Sequence, residues 1–225
     1  MNRVRFGAVR LVVLSFGIWC GVAGIEHGFF EVLQGNVVPE YHMVAGRPMI
    51  YAIGDSMRFW QFGYEYAYTV VPNFLVTGIL AMIAGLSVVV VSVGVVHRKF
   101  GWLLFILLSV LQYLVGGGAA QVTAAVLTGL LALLITRSPK VLQAIPAVVR
   151  RVLGAPWLVL VIALLFVSCH SIVTAVFGWF YGLNDPDLIS QVQWGTLYVL
   201  AVLFFATVVS AIAHDSLHEA TARTS

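Results

Sequence analysis

The chain has 225 residues, of which 61% are hydrophobic and only 9% charged. A soluble domain carries roughly 45–50% apolar and about 25% charged residues, so this composition excludes one: helices that are apolar all round need a bilayer as their solvent. The formal net charge of +3 does not point to nucleic acid either, because its placement is a topology signal. Arg3, Arg5, Arg10, Arg98, Lys99, Arg137, Lys140, Arg150, Arg151 and Arg223 fall on one set of segment ends. Arg47 and Arg58 fall on the other, among Glu26, Glu31, Glu40, Asp55, Glu65, Asp185 and Asp187. Lys and Arg bias in short loops marks the cytoplasmic side.

The first apolar segment covers residues 11–33, about the 20 residues that a bilayer requires, with Arg10 snorkelling to the headgroups. Arg3 and Arg5 ahead of an apolar run also fit a signal peptide. No small-x-small cleavage site follows near Cys20 to Gly24, so the segment is expected to remain as a span. Residues 35–70 read as an outer loop whose Tyr41, Tyr51, Trp60, Tyr64, Tyr66 and Tyr68 suit the membrane interface. Within it Asp55 is placed to cap a short helix through Phe62, ended by Gly63 and lying on the membrane.

The second span covers 72–96, with Pro72 in its first turn and His97-Arg98-Lys99 stopping it inside. The third, 102–117, is short and must extend into Gly116-Gly117-Gly118 or sit in thinned bilayer; the chain reverses there into a fourth span, 119–136. Residues 137–154 form an inner loop in which Leu142, Ile145, Val149 and Val152 recur at helical spacing among Lys140, Arg150 and Arg151. That pattern suits a basic interfacial helix, which Pro146 is expected to break. The fifth span covers 156–180, an acidic turn follows at Asn184-Asp185-Pro186-Asp187, and the sixth covers 192–213 before a polar inner tail. The expected fold is therefore a single all-α integral membrane domain, a bundle of six transmembrane helices with both termini cytoplasmic.

Residues at i, i+4 and i+7 share a helix face, so Cys20, His27, Glu31 and Gln34 form one stripe of the first span. Gly17, Gly21, Gly24 and Gly28 form a second stripe beside it, the small-residue pattern of close helix packing. Glu26 points about 100° away from His27 unless the helix is distorted. Ionisable groups at this depth mark a functional site by default, and other polar residues reach the same level: Asn73 on the second span, Gln112 and Gln121 flanking the triple glycine, and His170 on the fifth span. Spans one and five run the same way, so His27 and His170 are placed to meet. The i, i+4 spacing of His27 and Glu31 admits a metal, but no HExxH or cysteine-rich set accompanies it, and Cys20 and Cys169 form no disulfide or zinc pattern. The sequence names no cofactor.

The run GIEHGFFEVLQGN (24–36) resembles the opening signature of a prokaryotic family of multi-spanning membrane proteins without an established activity. YAIGDSMRFW (51–60), VPNFLVTGILAMIAGL (71–86) and HRKFG…QYLVGGG (97–118) resemble the same family. The resemblance implies a prokaryotic cytoplasmic membrane location and a shared polar feature at Glu26, His27, Glu31, Gln34 and Asn73, and carries no reaction.

The leading expectation is binding or translocation of a small solute or ion through an outward-facing pocket of Glu26, His27, Glu31, Asn73, Gln112 and Gln121. The alternatives are a membrane-embedded enzyme with His27 and Glu31 as acid–base groups or metal ligands, and a structural partner that uses the glycine stripe to hold other membrane proteins. Six spans are few for a secondary transporter, and no inverted repeat is visible, which leaves a homo-oligomer open. The one partner the composition requires is the lipid bilayer.

Overall fold

The computed structural model describes residues 7–54, 57, 65–136 and 145–224. Arg3, Arg5, Arg58, Trp60, Tyr64, Arg137, Lys140, Leu142 and the cap-to-cap helix expected between Asp55 and Gly63 lie outside the described residues, Met57 apart. The chain is mostly helical. In order come α1 (Ala8–Gln34), three short strands β1 (His42–Val44), β2 (Arg47–Tyr51) and β3 (Tyr66–Ala67), then α2 (Phe74–Gly94), α3 (Gly101–Leu114), α4 (Ala119–Thr136), α5 (Ala147–Gly154), α6 (Trp157–Phe177) and α7 (Pro186–Thr224). Ala8–Gln34, Phe74–Gly94, Ala147–Phe177 and Pro186–His218 are long and apolar enough to cross a membrane, and Gly101–Leu114 and Gln121–Ile135 are apolar but shorter.

Helix α1 lies at the centre, in contact with α2, α3, α4, α6 and α7. Its Val12, Val13, Phe16 and Cys20 join Val88 of α2, Phe105 of α3, Leu164 of α6 and Phe204 of α7 in one buried core. The outer faces of α6 and α7 carry exposed Val159, Ile162, Phe166, Val202 and Phe205. Water would penalise such a surface and lipid does not.

The antiparallel α1–α2 pair is set by glycine against glycine. A methyl group built on Gly21 would lie 2.6 Å from the Gly85 carbonyl oxygen, and one on Gly28 would lie 2.5 Å from that of Gly78. The reciprocal methyls on Gly85 and Gly78 each come within 2.5 Å of the carbonyls of Gly21 and Gly28. The two backbones touch where no side chain intervenes, the close approach that small residues permit in membranes. Gly17 lies against Ser92 of α2 and Phe105 of α3, and Gly24 against the Gln112 side chain of α3. The four glycines thus serve two neighbours.

Several expectations change. The triple glycine does not lengthen the third span. Helix α3 stops at Leu114, and the amides of Val115 and Gly117 fold back to the Gln112 carbonyl at 3.3 and 2.8 Å, a turn made possible by φ of 103° at Gly116 and 80° at Gly118. Pro72 precedes α2 instead of opening it. Asn73 is the N-cap, its Oδ1 accepting from the Val76 amide at 3.0 Å. Pro146 stands as the N-cap of α5, so the described part of the basic helix begins only after it; residues 137–144 lie outside the described residues. Helix α6 ends at Phe177, with Gly178 left-handed at φ 60°. The acidic turn opens the last helix: Asp185 Oδ1 accepts from the amides of Asp187 and Leu188 at 2.9 and 3.3 Å, with Pro186 in the first turn. Nothing between Ala213 and Thr224 breaks a helix, so the expected polar tail is helical and α7 runs for 39 residues. The outer loop contains an antiparallel sheet of order β1-β2-β3 that its short, irregular strands did not announce.

At the other end α7 holds α1. Asp215 accepts from the amides of Ala8 and Val9 at 2.7 and 2.9 Å, placing a carboxylate on the positive end of the α1 dipole. Asp215→Ala is expected to cost about 1–2 kcal/mol, seen as a lower unfolding temperature in detergent, with Asp215→Asn in between. Helix α5 is tied to the same helix: Arg150, 8% exposed, donates to the Ser216 carbonyl at 3.1 Å, and Ser210 donates to the Leu153 carbonyl at 2.6 Å. Arg150 therefore faces protein, against the expectation that it lies on a headgroup surface. Nearby, burial and then the charges of Arg10 and Arg98 hold His97 below the usual imidazole range.

Candidate functional site

At the opposite end of α1 the stripe read from helical spacing points into the protein. His27 is 2% exposed and Glu31 0%, and Cys20 is buried one and a half to two turns further in. The helix stays regular throughout, so Glu26 remains on the adjacent side, half-buried but close enough to His27 and Glu65 to feel their charges.

Helices α3 and α4 bring their amides to this stripe because the glycine turn joins them there. Gln112, 3% exposed, donates its Nε2 to the Cys20 carbonyl at 3.0 Å, in the space left open by Gly24. Gln121 Nε2 lies 3.2 Å from His27 Nε2. The turn itself forms a wall: a methyl on Gly116 would collide with the Glu31 carboxyl group, and one on Gly118 with the Gln121 side chain and, at 2.9 Å, with His27 Cε1.

The outer segment 65–71 closes the top. Its backbone pairs with the end of α3, the Val70 amide donating to the Leu114 carbonyl and the Gly116 amide to the Tyr68 carbonyl, both at 2.9 Å. Thr77 of α2 donates to the Val115 carbonyl at 2.7 Å, so the 2.6 Å contact between Thr69 and Thr77 has Thr69 as donor. This segment delivers Glu65, whose Oε2 is 3.5 Å from His27 Nε2. Sequence reasoning had placed Glu65 only among the outer acids. Along an extended chain alternate residues share a face, and Ala67 and Thr69, on the face of Glu65, are buried where Tyr66 and Tyr68 are half-exposed.

Three expected members are elsewhere. Gln34 donates to the carbonyls of Tyr51 and Ala52 at 3.0 and 2.8 Å and so pins the sheet to the end of α1. Asn73 caps α2 and donates to Asn36 Oδ1 at 2.6 Å. His170 does not join His27: it lies 3.2 Å from the Thr174 hydroxyl and stacks on Tyr181, ring centroids 5.1 Å apart, beside Trp179 and Phe180. The turn after α6 folds these aromatic rings onto it.

Among the described residues, no three His, Cys, Asp or Glu side chains gather as a metal-holding group. What remains is a closed polar cluster, with His27, Glu31 and Gln112 buried rather than lining an open pocket. It has a marked imbalance. Both carboxylate oxygens of Glu31, Nδ1 of His27 and Oε1 of Gln112 are buried without a hydrogen-bond partner among the described residues. Buried polar atoms are nearly always paired, so four orphans in one cluster set it apart from the rest of the described residues. No family model, curated protein or solved structure matches the chain.

Proposed function

We propose that this is a membrane protein of six spans with both termini cytoplasmic that binds and moves a small cation at Glu31 and His27. One observation carries the reading: a carboxylate on a spanning helix, 0% exposed, with no donor on either oxygen among the described residues. Burying a charge costs several kcal/mol unless it is paired, and in membrane proteins such groups line ion and proton pathways. A cation at Glu31 supplies the missing partner. For the topology, α3 and α4 count as spans although they have 14 and 18 residues. They cover about 21 and 27 Å by helical rise, and the segment 65–71 completes the outer side above them. The glycine stripe is used inside the chain, against α2 and α3, which favours the site reading over a partner-holding role.

The test is current recording from proteoliposomes on a solid-supported membrane, with concentration steps in protons, sodium, potassium and ammonium. Wild type is expected to pass a transient current for one of these cations. Glu31→Gln should abolish it and His27→Ala reduce it at least tenfold, both variants remaining folded by circular dichroism. Removing an unpaired buried charge leaves Glu31→Gln as stable as wild type or more so. Silence to every cation in wild type, or currents unchanged in Glu31→Gln, overturns the reading.

A further inference from the structure

The cluster also indicates which cation it takes and by which route. Three titratable groups stand in a row of falling exposure: the side chain of Glu65 at 27%, His27 at 2% and Glu31 at 0%. The middle group has one nitrogen with two incompatible neighbours. His27 Nε2 is 3.2 Å from the Gln121 amide nitrogen, a donor, and 3.5 Å from the Glu65 carboxylate, an acceptor. A ring nitrogen carries a lone pair or a proton. With a lone pair it accepts from Gln121, and with a proton it donates to Glu65.

Among the described residues the other ring nitrogen, Nδ1, has no partner, and neither has either oxygen of Glu31, one helical turn away. Glutamate side chains on a helix lean towards its N-terminus, so the Glu31 carboxyl leans towards His27. Both groups abut the same glycine turn, Glu31 at Gly116 and His27 at Gly118. When Nε2 accepts from Gln121, Nδ1 holds the ring proton of the neutral imidazole. That is a donor without an acceptor one helical turn from acceptors without a donor, the two further apart than a hydrogen bond.

We propose that the cation is the proton and that it travels from outer water through Glu65 and His27 to Glu31. This rests on the reading of Glu31 as the cation-binding carboxylate. In the first step the O–H bond of protonated Glu65 breaks and an N–H bond forms at Nε2, giving an imidazolium paired with the Glu65 carboxylate. In the second a swing of the Glu31 side chain brings one of its oxygens to Nδ1, the Nδ1–H bond breaks and an O–H bond forms on Glu31. The imidazole is left neutral with its proton on Nε2, where it donates to the Glu65 carboxylate, and the same two transfers in reverse return the proton to outer water. The charges acting on His27 are those of Glu26 and Glu31 on its own helix and Glu65 on the outer segment. From α3 and α4 the cluster receives the uncharged amides of Gln112 and Gln121.

Infrared spectroscopy of the full chain in liposomes tests this. A carboxylic-acid carbonyl band that is lost in Glu31→Gln identifies protonated Glu31, and its shift after a change to D2O times proton delivery. Glu65→Gln is expected to leave the band in place and slow its exchange at least tenfold. His27→Gln should do the same. Glu65→Asp, which keeps the acid, should recover most of the rate, a recovery that a merely structural role for Glu65 would not give. If no band depends on Glu31, or if Glu65→Gln exchanges at the wild-type rate, the route is wrong. Currents evoked by sodium, potassium or ammonium but not by protons would overturn the proton and leave the cation site standing. A Glu31 band with Glu65-dependent exchange but no current would overturn translocation and leave the proton route standing.

Discussion

Gly28→Leu is expected to destroy the fold, at a cost of at least about 3 kcal/mol, read as loss of monodisperse protein in detergent. The atom that a Cβ would strike, 2.5 Å away, is the backbone carbonyl oxygen of Gly78, followed at 2.9 Å by the Met82 amide and side chain. A rotamer change cannot move a carbonyl, so α1 and α2 must part. They are held at two levels, Gly28 against Gly78 and Gly21 against Gly85, and parting them at one strains the other. Gly28→Ala should fall between, at about 1–3 kcal/mol. The control is Gly195→Leu on α7, where a Cβ meets nothing within 4 Å. There the substitution replaces a poor helix former, worth about 0.8–1.0 kcal/mol, and stability should hold or rise. One substitution with opposite outcomes at two glycines separates contact from composition.

Gly116→Val should cost about 2–4 kcal/mol through two separable causes. The backbone φ of 103° is open to glycine and strained for a β-branched residue, by about 1–3 kcal/mol. Its side chain would also enter the space of the Glu31 carboxyl group. In a double-mutant cycle with Glu31→Ala the second cost disappears and the first stays. A coupling of about 1–2 kcal/mol between residues on different helices, measured by thermal unfolding, would place the glycine turn against the carboxylate. A cycle that closes to zero would mean that Glu31 points elsewhere.

The parts of this structure that sequence reveals are those that one segment decides alone. A bilayer demands long apolar helices, so α1, α2 and α6 stand out close to their true limits. A 3.6-residue period brings His27 and Glu31 to one face. What escaped depends on distant pairings. Glu65 meets His27 through a segment whose Tyr, Thr and Val residues suit an extended chain but whose partner is set by backbone bonds to Leu114 and Gly116. Gln34 and Asn73 share the polar character of the site residues and differ only in having partners in the sheet and at a helix start. His170 lies at a suitable depth, yet the turn at Trp179 to Tyr181 occupies it. The length of α7 was hidden because polarity, and not helix breaking, marks the edge of a bilayer.

The carboxylate of Asp215 that receives the first amides of α1 is 207 residues away in the chain. At a synthesis rate of about 5–20 residues per second, the leading helix waits roughly 10–40 seconds for the group that closes its end. Throughout that interval the growing chain has its central helix in place with its amino end unsealed, and only the arrival of the last helix can seal it. The pairing of α1 with α7 is therefore set late in synthesis, by a contact that α1 cannot make until Asp215 has been added.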